Sequence, residues 1–360
     1  MSTKLTPIPA LALAAVLCGT LVAPARAAGG ARPATSVTWG HPMQAPGIGA
    51  LDKDHFADLT RVSCPAAGSC SAAGSYFDAK GHTQAFVINQ SKGVWSKAEA
   101  APGVAKLNAG GIAAINAISC AAAGTCAAGG TYREVSGNEQ AFVIEEAKGS
   151  WSAAIPVPGV SGLNIGGGGL VASISCPTPG NCGVVGDYTD SHGNFQVFVD
   201  SEKSRTWGKA VIAPGLSKLN IGGAANVSAI SCASPGSCAA VGYYTDVLSR
   251  TQAFLIEQQN GKWGQVREVP GTAQLNAGGH AYTLGVSCGS PGNCGAAGYY
   301  TDAATHLQAF VANEVKGDWS KAIPIPGGIA LNAGGDESAG YIVCQGPSGG
   351  ACVASGLYSD

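Results

Sequence analysis

Charge is scarce in this sequence. Aspartate, glutamate, lysine and arginine make up only 12% of the 360 residues, and the 22 acidic side chains outnumber the 20 basic ones. So little charge argues against a solvated disordered chain or a charged coiled coil. The lack of a basic excess argues against nucleic-acid binding, which depends on clustered lysine and arginine.

Long apolar runs are also scarce. Beyond the N-terminus, no apolar run reaches the roughly 20 residues needed to span a bilayer. The N-terminus itself has the pattern of a secretion signal: Lys4 precedes an apolar run over residues 11–22, and Ala25-Arg26-Ala27 is a small-x-small cleavage site. We therefore predict a signal peptide over residues 1–27 and one secreted, extracellular domain over residues 28–360.

What is abundant is repetition, with a period of 56 residues. Residues 231–279 show the unit, which contains Ser-Cys-x5-Cys, Gln-Ala-Phe and Leu-Asn-x-Gly-Gly. One cysteine recurs at this spacing six times: Cys64, Cys120, Cys176, Cys232, Cys288 and Cys344. All six tryptophans do the same: Trp39, Trp95, Trp151, Trp207, Trp263 and Trp319. The chain is therefore six copies of one unit.

The cysteines predict one local disulfide in each unit. Cys18 is removed with the signal, and Leu17 before it is too large for a lipid-attachment motif. The other twelve cysteines form close pairs: Cys64 with Cys70, Cys120 with Cys126, Cys176 with Cys182, Cys232 with Cys238, Cys288 with Cys294, and Cys344 with Cys352. Zinc sites use shorter spacings and four converging ligands, so the disulfide interpretation is favoured in an exported protein.

Each unit predicts four short strands. Residues 226–232 alternate in character, residues 238–244 are small, and residues 252–256 are apolar on both faces and hence buried on both. A fourth strand starts at Trp263 and stops at a Pro-Gly pair. No helical period of useful length is present, so each unit predicts an antiparallel sheet that must stack on its neighbours.

Six such sheets predict a six-bladed β-propeller, with an open β-solenoid as the alternative fold. Residues 28–38 occupy the place of a third strand but lack its Gln-Ala-Phe signature, and the C-terminal residues 358–360 follow a second strand. We expect residues 36–46 to complete the sheet opened by residues 338–358, so that paired N- and C-terminal strands close the ring.

Two resemblances support this fold. The turn over residues 201–207, Ser-Glu-Lys-Ser-Arg-Thr-Trp, resembles the Asp-box of sialidase-like propellers, although Lys203 and Arg205 replace its Asp and Gly. From Trp39 onward the chain also resembles secreted bacterial proteins built from tandem Ser-Cys-x5-Cys, Gln-Ala-Phe and Leu-Asn-Ala-Gly-Gly units. These resemblances imply a propeller and no particular activity, because the sialidase arginine triad and tyrosine nucleophile match no motif here.

The asparagine of the Leu-Asn-x-Gly-Gly loop is the first candidate for ligand binding. It recurs as Asn108, Asn164, Asn220, Asn276 and Asn332, with Asp52 in the first unit. An amide both donates and accepts hydrogen bonds, which suits sugar hydroxyls. The alternative is structural, because Asn commonly bonds the backbone of its own turn and Gly-Gly supplies positive φ.

A recurring tyrosine and acid form the second candidate. The acids are Asp78, Glu134, Asp190, Asp246, Asp302 and Asp360, and the tyrosines are Tyr76, Tyr132, Tyr188, Tyr244, Tyr300 and Tyr358. Together they would suit a shallow glycan site, and the oxygen-rich loop over residues 187–194 could hold calcium, although no cofactor is required. The alternative is that the acids cap turns and the tyrosines belong to the core.

Catalysis would need asymmetry, because an acid and a base must occupy unlike environments. The units depart from one another at Asp54 and His55, at His280, and at Asp336 and Glu337. In a closed ring the first, fifth and sixth units are adjacent, which would place these five residues in one sector for general acid/base work. The alternative is that these loop residues differ between units without any functional role.

The sequence thus predicts a monomeric, lectin-like binding module for glycan or cell-envelope polysaccharide, with repeated weak sites that add by avidity. The alternatives are a glycan-cleaving hydrolase or lyase that uses the asymmetric residues, and a scaffold that binds protein.

Overall fold

The computed structural model describes residues 41–346 and 351–360, which form an all-β chain of repeated antiparallel sheets. The predicted signal peptide, Cys18 and Trp39 lie outside the described residues. No helix among the described residues is long and apolar enough to cross a membrane.

The sheets follow one another along the chain, one in each unit. Unit one contains Asp58–Ala66, Ser69–Phe77, Thr83–Ser91, Val94–Trp95 and Glu99–Ala100. Unit two contains Ala113–Ala122, Thr125–Arg133, Glu139–Ala147, Ser150–Trp151 and Ile155–Pro156. Unit three contains Leu170–Thr178, Asn181–Thr189, Phe195–Lys203, Thr206–Trp207 and Val211–Ile212. Unit four contains Asn226–Ser234, Ser237–Thr245, Thr251–Gln259, Lys262–Trp263 and Arg267–Glu268. Unit five contains Ala281–Ser290, Asn293–Thr301, Leu307–Val315, Asp318–Trp319 and Ile323–Pro324. Unit six contains Glu337–Gln345 and Ala351–Tyr358.

Three long strands form a meander in each of the first five units. The second strand pairs with the first and the third, as predicted. The single fourth strand predicted from the tryptophan to the Pro-Gly is wrong in detail. The chain instead forms two strands of two residues, and both pair with the third strand.

One turn of helix precedes each of the six units, which the sequence did not predict. The helices are Ile48–Leu51, Val104–Leu107, Val160–Leu163, Leu216–Leu219, Thr272–Leu275 and Gly328–Leu331. Each begins after a glycine in the left-handed region, such as Gly159 with φ 88°. Four residues are too few for a helical period to show in the sequence.

All six predicted disulfides are present. Each links the first and second strands across their turn, with Cα atoms 3.9–4.1 Å apart. Residues of the first strand do not alternate between its two faces along the whole strand, because a bulge between Val227 and Ala229 shifts the register. The bulge allows Val227 to be buried together with Ile230.

The core lies between consecutive sheets. The third strand is buried on both faces, as predicted, with Phe254 and Leu255 fully buried. One hydrogen bond recurs at each of the five junctions: a cysteine backbone N–H donates to the serine Oγ of the preceding unit, as from Cys120 to Ser63 over 2.9 Å. The units therefore stack in register.

The two end faces are exposed. Leu59 in unit one is 48% exposed, whereas its counterpart Ile115 in unit two is fully buried. Val353 in unit six is 64% exposed, whereas its counterpart Ala239 in unit four is 1% exposed. Within the described residues, units one and six therefore do not pack against each other in the way that consecutive units do. The strand pairing predicted to close the ring involves residues 36–40, which lie outside the described residues.

Candidate functional site

The recurring asparagine joins consecutive units. The Asn164 amide donates to the Glu139 carbonyl over 2.6 Å and to Gln140 Oε1 over 3.1 Å, while its Oδ1 accepts the backbone N–H of Thr189. The five asparagines are only 1–6% exposed. This network accounts for the recurrence of asparagine without a ligand. Ligand binding by these side chains stays a prediction that their burial does not favour.

The recurring aspartate holds a turn. Asp190 Oδ1 accepts the backbone N–H groups of His192 and Asn194, and its Oδ2 accepts from Gln196 Nε2. Burial opposes ionisation, but these hydrogen bonds hold the pKa of the Asp190 carboxyl below its ordinary value. Three other acids make the same contacts: Asp78, Asp246 and Asp302. Their oxygens are thus engaged within the turn.

The tyrosines next to these acids belong to the core. Five of the six are buried: Tyr76, Tyr132, Tyr188, Tyr244 and Tyr300. Burial raises the pKa of Tyr188 to about 12, with a smaller contribution from the Asp190 carboxylate. Buried rings cannot stack on a sugar at the surface, so this arrangement matches the core alternative.

The asymmetric residues are spread along the chain. His280 and Asp336 occupy equivalent positions in units five and six, where each forms a parallel bridge with the third strand of the preceding unit. Asp54 and His55 are exposed in the segment before unit one. Because the faces of units one and six are both exposed, the described residues do not bring these two groups together through a junction. A catalytic role for them stays a prediction.

Glu337 occupies an unusual place. The equivalent residue is Ala in units one, two, four and five and Gly in unit three, whereas the Glu337 side chain is buried and its Oε2 accepts the Ala309 N–H over 3.3 Å. Its carboxylate fills the space where a side chain on Gly328 would lie. The residues equivalent to Gly328 are all larger: Ile48, Val104, Val160, Leu216 and Thr272. Burial raises the pKa of the Glu337 carboxyl.

A groove between units one and two was missed by the sequence analysis. It has a volume of about 740 Å³ and lies beside the disulfide turns. Half-buried Trp95 lines it together with Gln90 and three exposed charged residues, Lys97, Glu99 and Lys148. The groove therefore combines an aromatic ring, an amide and charges of both signs.

At the base of this groove, Asn89 of unit one and Glu146 of unit two form a hydrogen bond across the junction. The Asn89 amide donates to Glu146 Oε1 over 2.8 Å and accepts from Trp151 Nε1 over 3.1 Å. Ser71 Oγ donates to Glu146 Oε2. Burial raises the pKa of the Glu146 carboxyl, while the Ser71 hydrogen bond lowers it.

The corresponding cavity between units two and three is nearly filled, with a volume of about 10 Å³. Glu145 stands where Asn89 stands in unit one, and it faces Glu202. Trp207 Nε1 donates to Glu145 Oε1 over 2.8 Å, and Arg205 lies 3.7 Å from its other oxygen. The longer side chain and its arginine occupy the space that is open at the first junction.

The groove reappears between units three and four, with a volume of about 480 Å³. Here Ser201 takes the place of Asn89 and accepts from Gln258 Nε2 over 2.7 Å. Lys203, Lys209 and the half-buried Trp263 line it. Two positions therefore distinguish the open grooves from the filled cavity: Asn89, Glu145 and Ser201 at one, and Gly149, Arg205 and Gly261 at the other. Aligning the units at these two positions would have been the signal in the sequence.

Two junctions contain paired carboxyl groups. Burial, followed by the neighbouring Glu145 carboxylate, raises the pKa of Glu202 to about 8. Burial and the Glu257 carboxylate likewise raise the pKa of Glu314 to about 8, and Arg267 pairs with Glu257. A second carboxylate close by opposes ionisation further, so Glu202 and Glu314 keep their protons to a higher pH than a free carboxyl group does.

One group of potential metal ligands comes together within the described residues, namely Cys120, Cys126 and Glu146. The two sulfur atoms form a disulfide. They are therefore not free to coordinate a metal ion.

No protein-family model matches the sequence, and no curated protein matches it. Among solved structures, the chain is similar to a Trypanosoma rangeli sialidase bound to the inhibitor DANA, with 10% identity, a TM-score of 0.38 and coverage of 85% of this chain and 54% of the sialidase. It is similar to a Xanthomonas campestris xyloglucanase, with 12% identity, a TM-score of 0.45 and coverage of 84% and 44%. It is also similar to an N11 neuraminidase-like protein of a flat-faced bat influenza virus, with 11% identity, a TM-score of 0.42 and coverage of 84% and 83%.

The chain thus spans about half the length of the sialidase and less than half of the xyloglucanase. The likeness is to sialidase-like propellers at a coarse level. It carries no conclusion about activity or about closure of a ring.

Proposed function

We propose that this protein is a secreted, lectin-like module that binds cell-envelope polysaccharide in the grooves between its units. The observation that carries the proposal is the 740 Å³ groove between units one and two, with Trp95 on its wall. A half-buried indole offers an apolar face to a sugar ring, and neighbouring polar side chains can bond its hydroxyls.

Lysines favour an acidic polysaccharide. Exposed Lys97 and Lys148 line the first groove, and Lys203 and Lys209 line the second. The acids Glu146, Asp200 and Glu202 also line these grooves, but they are buried, and burial raises the pKa of each. The accessible charge in the second groove is therefore positive, and in the first Glu99 offsets only one of the two lysines.

The test is binding of the mature chain to an array of bacterial cell-envelope polysaccharides, with and without a chelator, followed by calorimetry on the best probe. We expect Asn89→Glu to weaken binding at the first groove, because the longer side chain takes up part of the space that Glu145 and Arg205 fill at the next junction. Trp95→Ala should weaken binding at least about tenfold through loss of the stacking surface.

Asn313→Glu is the matched control, because it makes the same change at the exposed equivalent position of unit five, outside both grooves. Binding that persists in both Asn89→Glu and Trp95→Ala, or an array on which no polysaccharide binds, would contradict the proposal.

A further inference from the structure

The second groove, between units three and four, contains a hydrogen-bond donor without an acceptor. Trp263 lines this groove, and its Nε1 is buried with no hydrogen-bond partner among the described residues. The equivalent tryptophans of two other units have one: Trp151 Nε1 donates to Asn89 Oδ1 over 3.1 Å, and Trp207 Nε1 donates to Glu145 Oε1 over 2.8 Å. A buried N–H group without an acceptor is costly, and a ligand that supplies the acceptor removes that cost.

The acceptor is missing because Ser201 is short. Ser201 stands where Asn89 stands at the first junction, and its Oγ accepts from Gln258 Nε2 over 2.7 Å. Ser201, Gln258 and Trp263 all line the groove of about 480 Å³. The place that a carboxamide takes at the first junction therefore borders open space at this one.

An unpartnered indole is not by itself a site. Trp319 Nε1 also lacks a partner among the described residues, but the residue at the position of Ser201 is there Glu257, which pairs with Arg267. The second groove differs because this position holds a short side chain and the neighbouring turn holds Gly261, which also lines the groove.

An acceptor without a donor lines the same groove. Asp200 is only 5% exposed; its Oδ1 accepts the Ser201 N–H over 2.7 Å, whereas its Oδ2 has no hydrogen-bond partner among the described residues. This carboxyl group takes the place of a serine hydroxyl: Ser96 Oγ accepts the equivalent N–H in unit one, and a Cβ on Gly208, the residue equivalent to Ser96, would lie 2.6 Å from Asp200 Oδ1. Ser96 lines the first groove and Asp200 the second. A ligand of the second groove can therefore satisfy a donor and an acceptor.

The first junction shows which chemical group fits between the indole and the facing side chain. There the Asn89 carboxamide accepts from Trp151 through its oxygen and donates to Glu146 through its nitrogen. In the second groove Gln258 stands at the position of Glu146, and because its Nε2 donates to Ser201, its Oε1 is the atom that can accept. An acetamido group carries the same carbonyl oxygen and N–H as the Asn89 side chain.

We propose that the second groove binds the acetamido group of an N-acetylated amino sugar, whose carbonyl oxygen accepts from Trp263 and whose N–H donates to Gln258. Asp200 accepts from a neighbouring hydroxyl group of the ligand. This assignment rests on the proposed function and specifies the sugar class at one of the two described grooves. The first groove does not bind an acetamido group in this way, because Asn89 already takes its place.

The experiment compares chitotetraose with cellotetraose, which have the same linkage and differ in the acetamido group that replaces one hydroxyl group on each sugar of chitotetraose. In calorimetry with the mature chain, chitotetraose should bind at one site per chain, about tenfold more tightly than cellotetraose. The Trp263 Nε1–H resonance, assigned by its loss in Trp263→Phe, should shift downfield during the titration, as expected for a newly formed hydrogen bond.

Three variants test the geometry. Ser201→Asn supplies the chain's own carboxamide and should abolish the preference for chitotetraose. Trp263→Phe keeps an aromatic ring without the N–H and should reduce the preference about threefold to tenfold. Asn89→Ser combined with Glu146→Gln gives the first groove the residues of the second and should raise the chitotetraose stoichiometry to two.

Asn313→Ser is the matched control, because it makes the change from Asn to Ser at the exposed equivalent position of unit five, outside both grooves. Equal affinity for the two tetrasaccharides, no binding of either, or a preference that survives both Ser201→Asn and Trp263→Phe would overturn the acetamido assignment. Binding of an acidic polysaccharide that Trp95→Ala weakens would in that case leave the proposed function standing. An array on which no polysaccharide binds would contradict both.

Discussion

Buried carboxyl groups distinguish individual residues of this protein from ordinary surface acids. Glu202 is only 4% exposed and lies against Glu145, and Asp187 accepts the Val227 N–H while burial raises its pKa to about 7. A raised pKa means that the folded chain binds a proton that the unfolded chain releases. These two groups therefore favour the folded chain at acidic pH and lose that contribution as the pH rises, whereas Asp190, whose pKa is lowered, contributes in the opposite sense.

The sign of the pH dependence follows directly. Because the pKa of Glu202 is about 8 in the folded chain and 4.5 as a free group, its contribution is complete below pH 4.5 and is lost as the pH rises to about 8. We expect Glu202→Gln to reduce this loss by at least about 1 kcal/mol, since a shift of one pKa unit is worth about 1.4 kcal/mol. Urea unfolding at pH 5 and pH 8 measures it.

Glutamine occupies the equivalent position naturally as Gln258, so the substituted side chain has a precedent in the fold. Glu314→Gln should act similarly, and the two effects should add because the pairs are two units apart. The account fails if both variants keep the full decline in stability between pH 5 and pH 8.

Individual side chains also show which contacts could be predicted from the sequence and which could not. The paired cysteines were predictable because loop closure depends on local spacing. The roles of Asn164 and Asp190 were left open, because an isolated Asn or Asp in a turn is equally compatible with a ligand and with its own backbone. Only the position of Gln140 and Thr189 in the fold decides what Asn164 bonds.

The strands depend on a close approach at one glycine. A Cβ on Gly186 would collide with the Leu170 carbonyl oxygen and with the ring of Phe198. The glycine thus lets the second strand pass the bulge of the first while the third-strand aromatic ring lies over it. The same Gly and Phe pairing recurs in units four and five, at Gly242 with Phe254 and at Gly298 with Phe310.

Replacing this glycine should therefore destabilise the meander. We expect Gly186→Ala to lower the free energy of unfolding by about 1–3 kcal/mol through overpacking. Gly162→Ala is the matched control: it lies in the helix Val160–Leu163 with nothing within 4 Å of an added Cβ, so it should be neutral or slightly stabilising. Urea unfolding that gives both variants the same stability would contradict this packing.

The long strands were predictable because their apolar pattern extends over nine residues. The short elements were not, because two-residue strands such as Val211–Ile212 and one-turn helices such as Leu216–Leu219 contain too few residues for a period. The bulge at Val227 and Ala229 was hidden for a similar reason, since a single inserted residue leaves the composition of the strand unchanged.

For the molecule as a whole, the period of 56 predicted the stacking of units, and the small differences between units determine where cavities open. Asn89 with Gly149 and Ser201 with Gly261 leave grooves at the first and third junctions, whereas Glu145 with Arg205 nearly fills the second. The features that most units share, such as Asn164 and Asp190, maintain the fold. The grooves arise at positions where the units differ.

The number of binding sites should therefore be adjustable. If the grooves bind polysaccharide, we expect two sites per chain. Glu145→Asn combined with Arg205→Gly should open a third by recreating the arrangement of Asn89 and Gly149, with Glu202 in the place of Glu146 and Trp207 in the place of Trp151. Calorimetry on the best array probe measures the stoichiometry. Glu145→Gln, which keeps the longer side chain, is the control that should leave it at two.

Because each disulfide joins cysteines only six or eight positions apart within one hairpin, none of them ties a unit to its neighbour. Gene duplication or deletion of a whole 56-residue block would consequently leave no cysteine without its mate. A variant with one 56-residue block more or fewer would therefore keep every cysteine beside the partner it has now.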